Sequence, residues 1–213
     1  MAHFPVFVDL NGKRCVVVGG GAVAARKAET LADFGAVVAV IAPRMSVTML
    51  RLARSRSIAL IKRAYEGPQD LAGVALAVAT TDDSVLNEQI SMDAQAAGIP
   101  INVADAPQLC TFLFPAVVRR GELVAGLTSS GRCPALTARL RRQLDAAWPP
   151  ELECTLQELS RMRQQIMAQT NDADERARQL KALVDAALGF DTPEQEQNRS
   201  QLHFQHPAEH IGL

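Results

Sequence analysis

The chain has no excess of charge of either sign: 22 Lys and Arg stand against 23 Asp and Glu. That balance gives no support to a nucleic-acid partner. With 48% of 213 residues hydrophobic, the composition is not that of a disordered chain. No apolar run approaches the roughly 18 residues of a membrane helix, so no membrane partner is expected. The opening stretch MAHFPVFVDLNGKR lacks a basic segment leading into a long apolar run, so no signal peptide is expected. Cysteine is sparse: Cys15, Cys110, Cys133 and Cys154 are scattered, without a CxxC pair. That excludes a disulfide scaffold and gives no metal-ligand spacing; Cys110 and Cys133 read as buried thiols. There is no internal repeat. A cytoplasmic protein with one good core, or one domain and a smaller appendage, is the expectation.

What is present, from Asn11 to Asp105, is an alternation of short β-branched runs with helical segments. RCVVVG is a strand, and AVAARKAETLADFG a helix whose final glycine suits a C-cap. AVVAVIA, SIALIKR and GVALAVATT are further strands. DDSVLNEQISMDAQAAG opens with acids suited to capping a helix, and IPINVAD returns to strand. Such βα alternation predicts a parallel sheet covered on both faces. The all-apolar runs Val16–Val18 and Leu76–Ala79 suit strands buried on both sides.

After Asp105 the alternation stops. FLFPAVVRRGELVAGLTSSG reads as two strands joined near Arg120 and Gly121, a hairpin rather than a crossover. CPALTARLRRQLDAAW is a helix with Pro134 near its first turn, ended by Pro149 and Pro150. ELECTLQELSRMRQQIMAQ and DERARQLKALVDAALG read as two amphipathic helices. The stripe Leu152, Leu156, Leu159 and Ile166 predicts helix core or subunit contact.

Gly19-x-Gly21-x-x-Ala24 follows a strand and opens a helix, the context in which a GxGxxG-type match carries meaning. Gly19 permits a tight turn and Gly21 lets the backbone approach a pyrophosphate. Ala24 is small enough for the helix to lie on the sheet, and the helix N-terminus presents free N–H groups to anionic oxygens. The acid expected on the ribose is missing: Ala42, Pro43 and Arg44 follow the second strand. Arg44 suits a 2′-phosphate, or is a solvated surface arginine. On residues alone the cofactor is a dinucleotide of undecided type.

Four motifs in order, GGGxVAxRK, ATxDxxxxN, NVxDxPxxxxFxFP and an SSG…P helix entry, run between Phe4 and about Trp148. Together they resemble the precorrin-2 dehydrogenase family, the dehydrogenase/ferrochelatase domain of siroheme synthases. The resemblance implies an α/β fold: a Rossmann-like parallel sheet domain, a small strand-helix dimerisation element and a C-terminal helical domain, assembled as a homodimer. It sets boundaries at 1–112 for the NAD-binding domain, 113–148 for the dimerisation element and 149–190 for the helices. The polar stretch 191–213 is expected to be a flexible tail. It implies NAD as cofactor, with contacts at Gly19, Gly21, Ala22, Val23, Pro43 and Arg44. No methyltransferase domain fits in 213 residues, so the resemblance is to a stand-alone form.

The activity implied is oxidation of precorrin-2, a reduced tetrapyrrole with eight carboxylates, to sirohydrochlorin. A proton must be accepted as a hydride equivalent leaves. On residue type alone, Asp105 before Ala-Pro is an Asx turn or helix cap; the resemblance makes it the general base. Asn102 shares its loop and is an expected substrate contact. Arginine matches carboxylates through a planar fork, and Arg119, Arg120, Arg132, Arg139, Arg141 and Arg142 cluster in sequence. Of these Arg132, with Ser129 in the TSSGRCP loop, is the expected substrate contact, and Thr128 and Ser130 offer further donors. Arg139, Arg141 and Arg142 cannot share one helix face. Ferrous iron is a possible second substrate, since some members also insert it; nothing in the residues decides that.

His203, His206 and His210 have HxxHxxxH spacing, but Pro207 opposes a continuous helix, so a loose tail is expected rather than a metal site. His3 is not expected to be catalytic. For Asp82 and Asp83, cap and cofactor-loop readings are both open. Two readings of other classes remain: an NAD-sensing module without catalysis, and a tetrapyrrole carrier or chelatase without redox activity.

Overall fold

The computed structural model describes residues 3–189. Five strands, β1 (Arg14–Val18), β2 (Val37–Ile41), β3 (Ala59–Ile61), β4 (Leu76–Ala79) and β5 (Ile101–Val103), form one sheet in the order β3-β2-β1-β4-β5. Every neighbouring pair is parallel, with Val16 lying between Ala39 and Ala77. The apolar runs are apolar because both faces are covered. Alternate side chains serve opposite faces: Cys15 and Val17 enter one core with Ala24, Ala28 and Met49, while Val16 and Val18 enter another with Ile90 and Ala94.

Helix α1 (Ala22–Asp33) turns Ala24, Ala25, Ala28 and Leu31 inward, three of them small enough to let it lie close to the sheet. Gly35 follows it with φ 77°, the expected C-terminal glycine. Helix α2 (Val47–Ser55) is not announced by the sequence pattern. Only Met49 and Leu52 are buried on it, too few for a visible period, and it forms on a Ser46 cap whose hydroxyl accepts from the Met49 amide at 3.2 Å. Helix α3 (Ser84–Ala96) begins after Asp83, whose carboxylate accepts from the Val85 and Leu86 amides. The opening acids thus cap the helix as expected, through Asp83. Strand β3 is shorter than the run Ser57–Arg63 suggested.

Strands β6 (Ala116–Arg120) and β7 (Leu123–Leu127) form the expected hairpin. Gly121 stands at its turn with φ 56°. Then come α4 (Pro134–Ala147), with Pro134 at its first position, α5 (Leu152–Gln169) and α6 (Ala173–Leu188). Asp172 caps α6 through the Glu175 amide at 2.7 Å. The α5 stripe is half-buried, and α5 packs on α6.

The chain divides into two compact units. One comprises the chain up to Ala116 with Gly126–Arg139, and the other Val117–Ala125 with the chain from Leu140 onward. The division crosses the hairpin and α4 rather than falling at a linker. The histidines of the C-terminal stretch lie outside the described residues.

Candidate functional site

All five parallel strands deliver their C-terminal ends to one edge, and the chain reverses direction across the sheet between β1 and β4. Open α/β sheets take ligands at such a switch point. A cleft of about 370 Å³ stands there, lined by the loops after β1 (Gly19, Gly20, Gly21), β2 (Ala42, Pro43, Arg44) and β4 (Thr80 to Asp83). That volume falls in the ordinary range of ligand pockets, about 300–1,000 Å³.

The three glycines answer to different demands. A β-carbon on Gly19, held at φ 131°, would collide with Thr80, and one on Gly20 with the carbonyl oxygen of Arg44. Both are glycines because protein presses on them. A β-carbon on Gly21 would meet nothing within 4 Å. Its bare backbone faces open space, the condition for close approach of a ligand. Gly21 also caps α1 without a side chain, and no acid stands in the first helical turn. These amides suit an anionic pyrophosphate, so the residues fit a dinucleotide. Of the six positions expected to hold it, Gly19, Gly21, Pro43 and Arg44 line the cleft, while Ala22 and Val23 stand exposed at the start of α1. Gly20 was not singled out by the spacing, although the collision it avoids involves backbone.

The opposite wall explains the ATxDxxxxN motif. Asn87, buried on α3, accepts from the Thr81 hydroxyl at 2.8 Å and amide at 3.2 Å, and returns a bond to the Thr81 carbonyl at 2.9 Å. Together with the Asp83 cap this ties the loop after β4 to the helix. Asp83 is thus a cap that also lines the cleft, and Asp82 lines it beside it. Tyr65 walls the same cleft and donates to Asp93 on α3 at 2.9 Å; burial first, then that bond, raises its phenol.

At the end of β5, Asp105 adopts φ 58°, one of two non-glycine residues in the left-handed region among those described. It does not cap the short 3-10 turn Pro107–Leu109: that position belongs to Ala106 and carries no side-chain bond. The carboxylate is exposed at the ligand edge of the sheet. Left-handed backbone in a non-glycine residue costs free energy and concentrates at functional sites.

Asn102 is placed differently from the expectation of a substrate contact. It is 6% exposed, and its amide donates to the Phe112 carbonyl at 3.1 Å and to Cys110 Sγ at 3.5 Å. It braces the segment after Asp105 rather than facing solvent. Cys110 Sγ accepts from the Val103 amide and lies 3.3 Å from the Val103 carbonyl, so the half-buried thiol pins the same loop. Cys133 is exposed, contrary to the expectation of a buried thiol. Burial pushes the Cys15 thiol up to about 11. Among the described residues no three His, Cys, Asp or Glu side chains gather to hold a metal.

Lys27 closes the GGGxVAxRK motif, but the sequence alone assigned it no role. It lies half-buried on α1 between the inward Ala24 and Ala28, and its Nζ stands 3.8 Å from the centre of the Phe114 ring. Burial, then the charge of Arg26, pull its pKa down to about 8, while Cys110 and Asp105 act in the opposite direction. A lysine on the buried stripe of an alanine-faced helix is the signal that identifies it.

In the TSSGRCP loop, Ser129 Oγ accepts from the Cys133 amide at 3.1 Å and the Thr137 hydroxyl at 2.9 Å, fixing the entry to α4. Ser130, at φ 52°, places its hydroxyl 2.9 Å from His3 Nδ1. His3 and Ser130 share a small 120 Å³ hollow with Pro107, Cys110 and Phe112. Arg132 is exposed. Arg120, by contrast, is spent on the Asp145 and Trp148 carbonyls and the Asp145 carboxylate, and Arg141 also reaches Asp145. Neither is a substrate arginine by placement.

A glycine-lined cleft at the switch point of a parallel sheet defines a dinucleotide-binding, Rossmann-like protein. The chain belongs to the NAD(P)-binding family whose family model matches residues 6–116. It is similar to the siroheme synthase of Pseudomonas putida, 46% identical over 150 residues that make up 70% of this chain and 32% of that protein. Against the siroheme synthase of Pseudomonas entomophila it is 42% identical over 177 residues, 83% of this chain and 38% of the relative. The chain thus spans about a third of the length of these curated relatives. The solved structure of SirC, precorrin-2 dehydrogenase, superposes with a TM-score of 0.68, covering 94% of this chain and 98% of that one. At 23% identity that likeness shows the fold. Among the described residues no helix is long and apolar enough to cross a membrane.

Proposed function

We propose that the chain is a cytoplasmic, NAD-dependent precorrin-2 dehydrogenase that yields sirohydrochlorin in siroheme biosynthesis. The observation that carries this reading is the pairing of two features on one sheet edge. An open glycine cleft stands at the switch point, and an exposed carboxylate, Asp105, is held in left-handed backbone two residues beyond β5. The similarity to siroheme synthases supplies the substrate class.

Bound NAD supplies the hydride acceptor. The protein's own part is to hold the dinucleotide and to take a proton. Gly21 and the first turn of α1 receive the pyrophosphate, and Pro43 and Arg44 border the ribose. A carboxylate oxygen of Asp105 accepts the proton released as the tetrapyrrole loses its hydride equivalent. Oxidation thus consumes precorrin-2 and NAD and produces sirohydrochlorin, NADH and one proton. Arg132, exposed in the loop before α4, meets a substrate carboxylate; Asn102 and Ser129 hold the loops on which the site is built. Exposed Phe4, Val6, Phe7 and Val8 near the N-terminus, and Leu136 and Leu140 on α4, favour a homodimer that covers them.

The test is anaerobic absorbance with precorrin-2 and NAD, NADP or neither, for the native chain and Asp105→Asn. Asparagine tolerates the left-handed backbone, so the variant isolates the proton acceptor. A sirohydrochlorin spectrum that grows only with dinucleotide is expected, slowed by about 10²–10⁴-fold in Asp105→Asn with NAD affinity retained. A preference for NADP would show Arg44 reading a phosphate. Absence of the spectrum with either dinucleotide would end the dehydrogenase reading, and the same cuvette with sirohydrochlorin and ferrous ion then asks for metal insertion.

A further inference from the structure

We infer that Lys27 is a carboxylate-binding residue: its ammonium, standing on the Phe114 ring beside the Asp105 loop, receives one acetate or propionate of a tetrapyrrole substrate. This deepens the function proposed above and rests on its substrate class.

The argument begins with helix geometry. Ala24 and Ala28 are buried on α1, so the side chain at position 27 starts from the flank of that buried face rather than from the solvent side. It extends to the segment that follows β5. There Phe112 and Phe114 lie with ring centroids 5.3 Å apart, and the ammonium sits over Phe114 at 3.8 Å. Among the described residues no carboxylate comes within ion-pair distance of it. A half-buried ammonium resting on a ring has lost part of its hydration without gaining an anionic partner. If packing were its whole purpose, a leucine or methionine would cover Phe114 without that cost.

The charged and titratable groups acting on Lys27 are Arg26 on its own helix and Asp105 and Cys110 from the loop after β5. Burial and Arg26 bring its ionisation down to about 8. Below that pH the cation is present; above it the cation is lost. A carboxylate ligand binds the charged form, so affinity must decline as pH rises through this range. The ligand's own carboxylates stay ionised throughout. An ammonium, two phenylalanine rings and the candidate base Asp105 would then meet one ligand: a carboxylate, a conjugated apolar face and a ring proton.

The test is titration of the whole chain with sirohydrochlorin, followed by absorbance at pH 7 and pH 9, for native protein, Lys27→Met and Lys27→Arg. Each protein is first checked for unchanged NAD affinity, which reports an intact glycine cleft. Lys27→Met is expected to bind about tenfold more weakly at pH 7, the scale of one charge-assisted contact. Native affinity is expected to fall several-fold by pH 9. Lys27→Arg, charged at both pH values, is expected to bind at pH 7 and to lose the decline. Equal affinity of Lys27→Met and native protein, or a decline that persists in Lys27→Arg, would overturn the inference. Native protein that binds sirohydrochlorin through Lys27 yet never oxidises precorrin-2 would uphold this site and end the dehydrogenase reading instead.

Discussion

The two compact units are stabilised in different ways. In the first, Cys15, Val16, Val17, Val40, Ala77 and Val78 are wholly buried, and each face of the sheet has its own apolar core. In the second, α5 and α6 bury no residue completely. There the partly buried Arg120 gathers the end of α4 through two carbonyls and one carboxylate. A doubly covered parallel sheet makes its own core from a continuous apolar run. A pair of amphipathic helices and a hairpin covers one stripe of each element and leaves the rest half-exposed. The glycine cleft and Asp105 both stand on the first unit, at the ends of strands covered on both faces.

Substitution in the glycine loop should draw this contrast most sharply. Gly20→Ala forces a β-carbon into the Arg44 carbonyl, and backbone cannot rotate away as a side chain can. A loss of about 3 kcal/mol or more is expected, measured by urea denaturation. Gly21→Ala should leave stability within about 0.5 kcal/mol, since its β-carbon enters open space; isothermal titration should show weakened NAD binding. Equal destabilisation by the two would break the division of labour among the three glycines.

Asp70 tests the first unit at its edge. It is buried and receives a two-pronged bond from Arg63, at 2.9 and 2.5 Å, and the Glu66 amide at 2.9 Å. The Arg63 hydrogen bond, opposed by burial, holds its carboxyl below the ordinary range. A folded pKa below the unfolded one, about 3.9, means stability that is present above that value and lost as pH falls through it and then through the folded value. Asp70→Asn should destabilise by about 2 kcal/mol at pH 7 and flatten the acid limb of a melting-temperature profile.

In the second unit Arg120→Met should cost about 1–2 kcal/mol, because the Trp148 and Asp145 carbonyls lose their donors. Hydrogen exchange should show the loss in α4's last turn with β1 and β4 unchanged. The smallest effect belongs to Arg178→Ala. Its pair with Glu175 is on the surface of α6 at i,i+3, and no measurable shift in melting temperature is expected. A large shift there would mean that exposed pairs, rather than burial, hold the helices.

Much of the architecture was legible because burial on both faces writes an unmistakable pattern. The strands of the sheet, the glycine turn, the hairpin at Gly121 and the helix start at Pro134 follow from apolar period and turn residues; α6 was read from Asp174, one residue late, because its Asp172 cap was not recognised. Helix α2 was not legible: two buried side chains in nine residues make no period. Of the site, Gly21, Pro43 and Arg44 were read in advance from spacing and resemblance, and they do line the cleft. Asn102 was misplaced because polarity in a loop motif does not reveal which way an amide turns. Arg120 and Arg141 looked like ligand arginines because sequence proximity conceals the Asp145 and Trp148 acceptors that occupy them.

The sequence by itself determined most of the secondary elements, the parallel sheet implied by βα alternation and the position of the nucleotide turn. Those depend on nearest neighbours along the chain and on a period that residues carry locally. Only the tertiary structure decided that Gly19 and Gly20 are glycines for packing while Gly21 faces open space, that Asn87 knots the loop after β4, and that Lys27 rests on Phe114 beside Asp105. The meetings of Gly20 with Arg44, Gly19 with Thr80 and Lys27 with Phe114 join residues 24 to 87 positions apart, in a chain whose contacts are set by the order of the sheet. No local pattern records such a meeting, because the energy that enforces it belongs to the packed sheet as a whole.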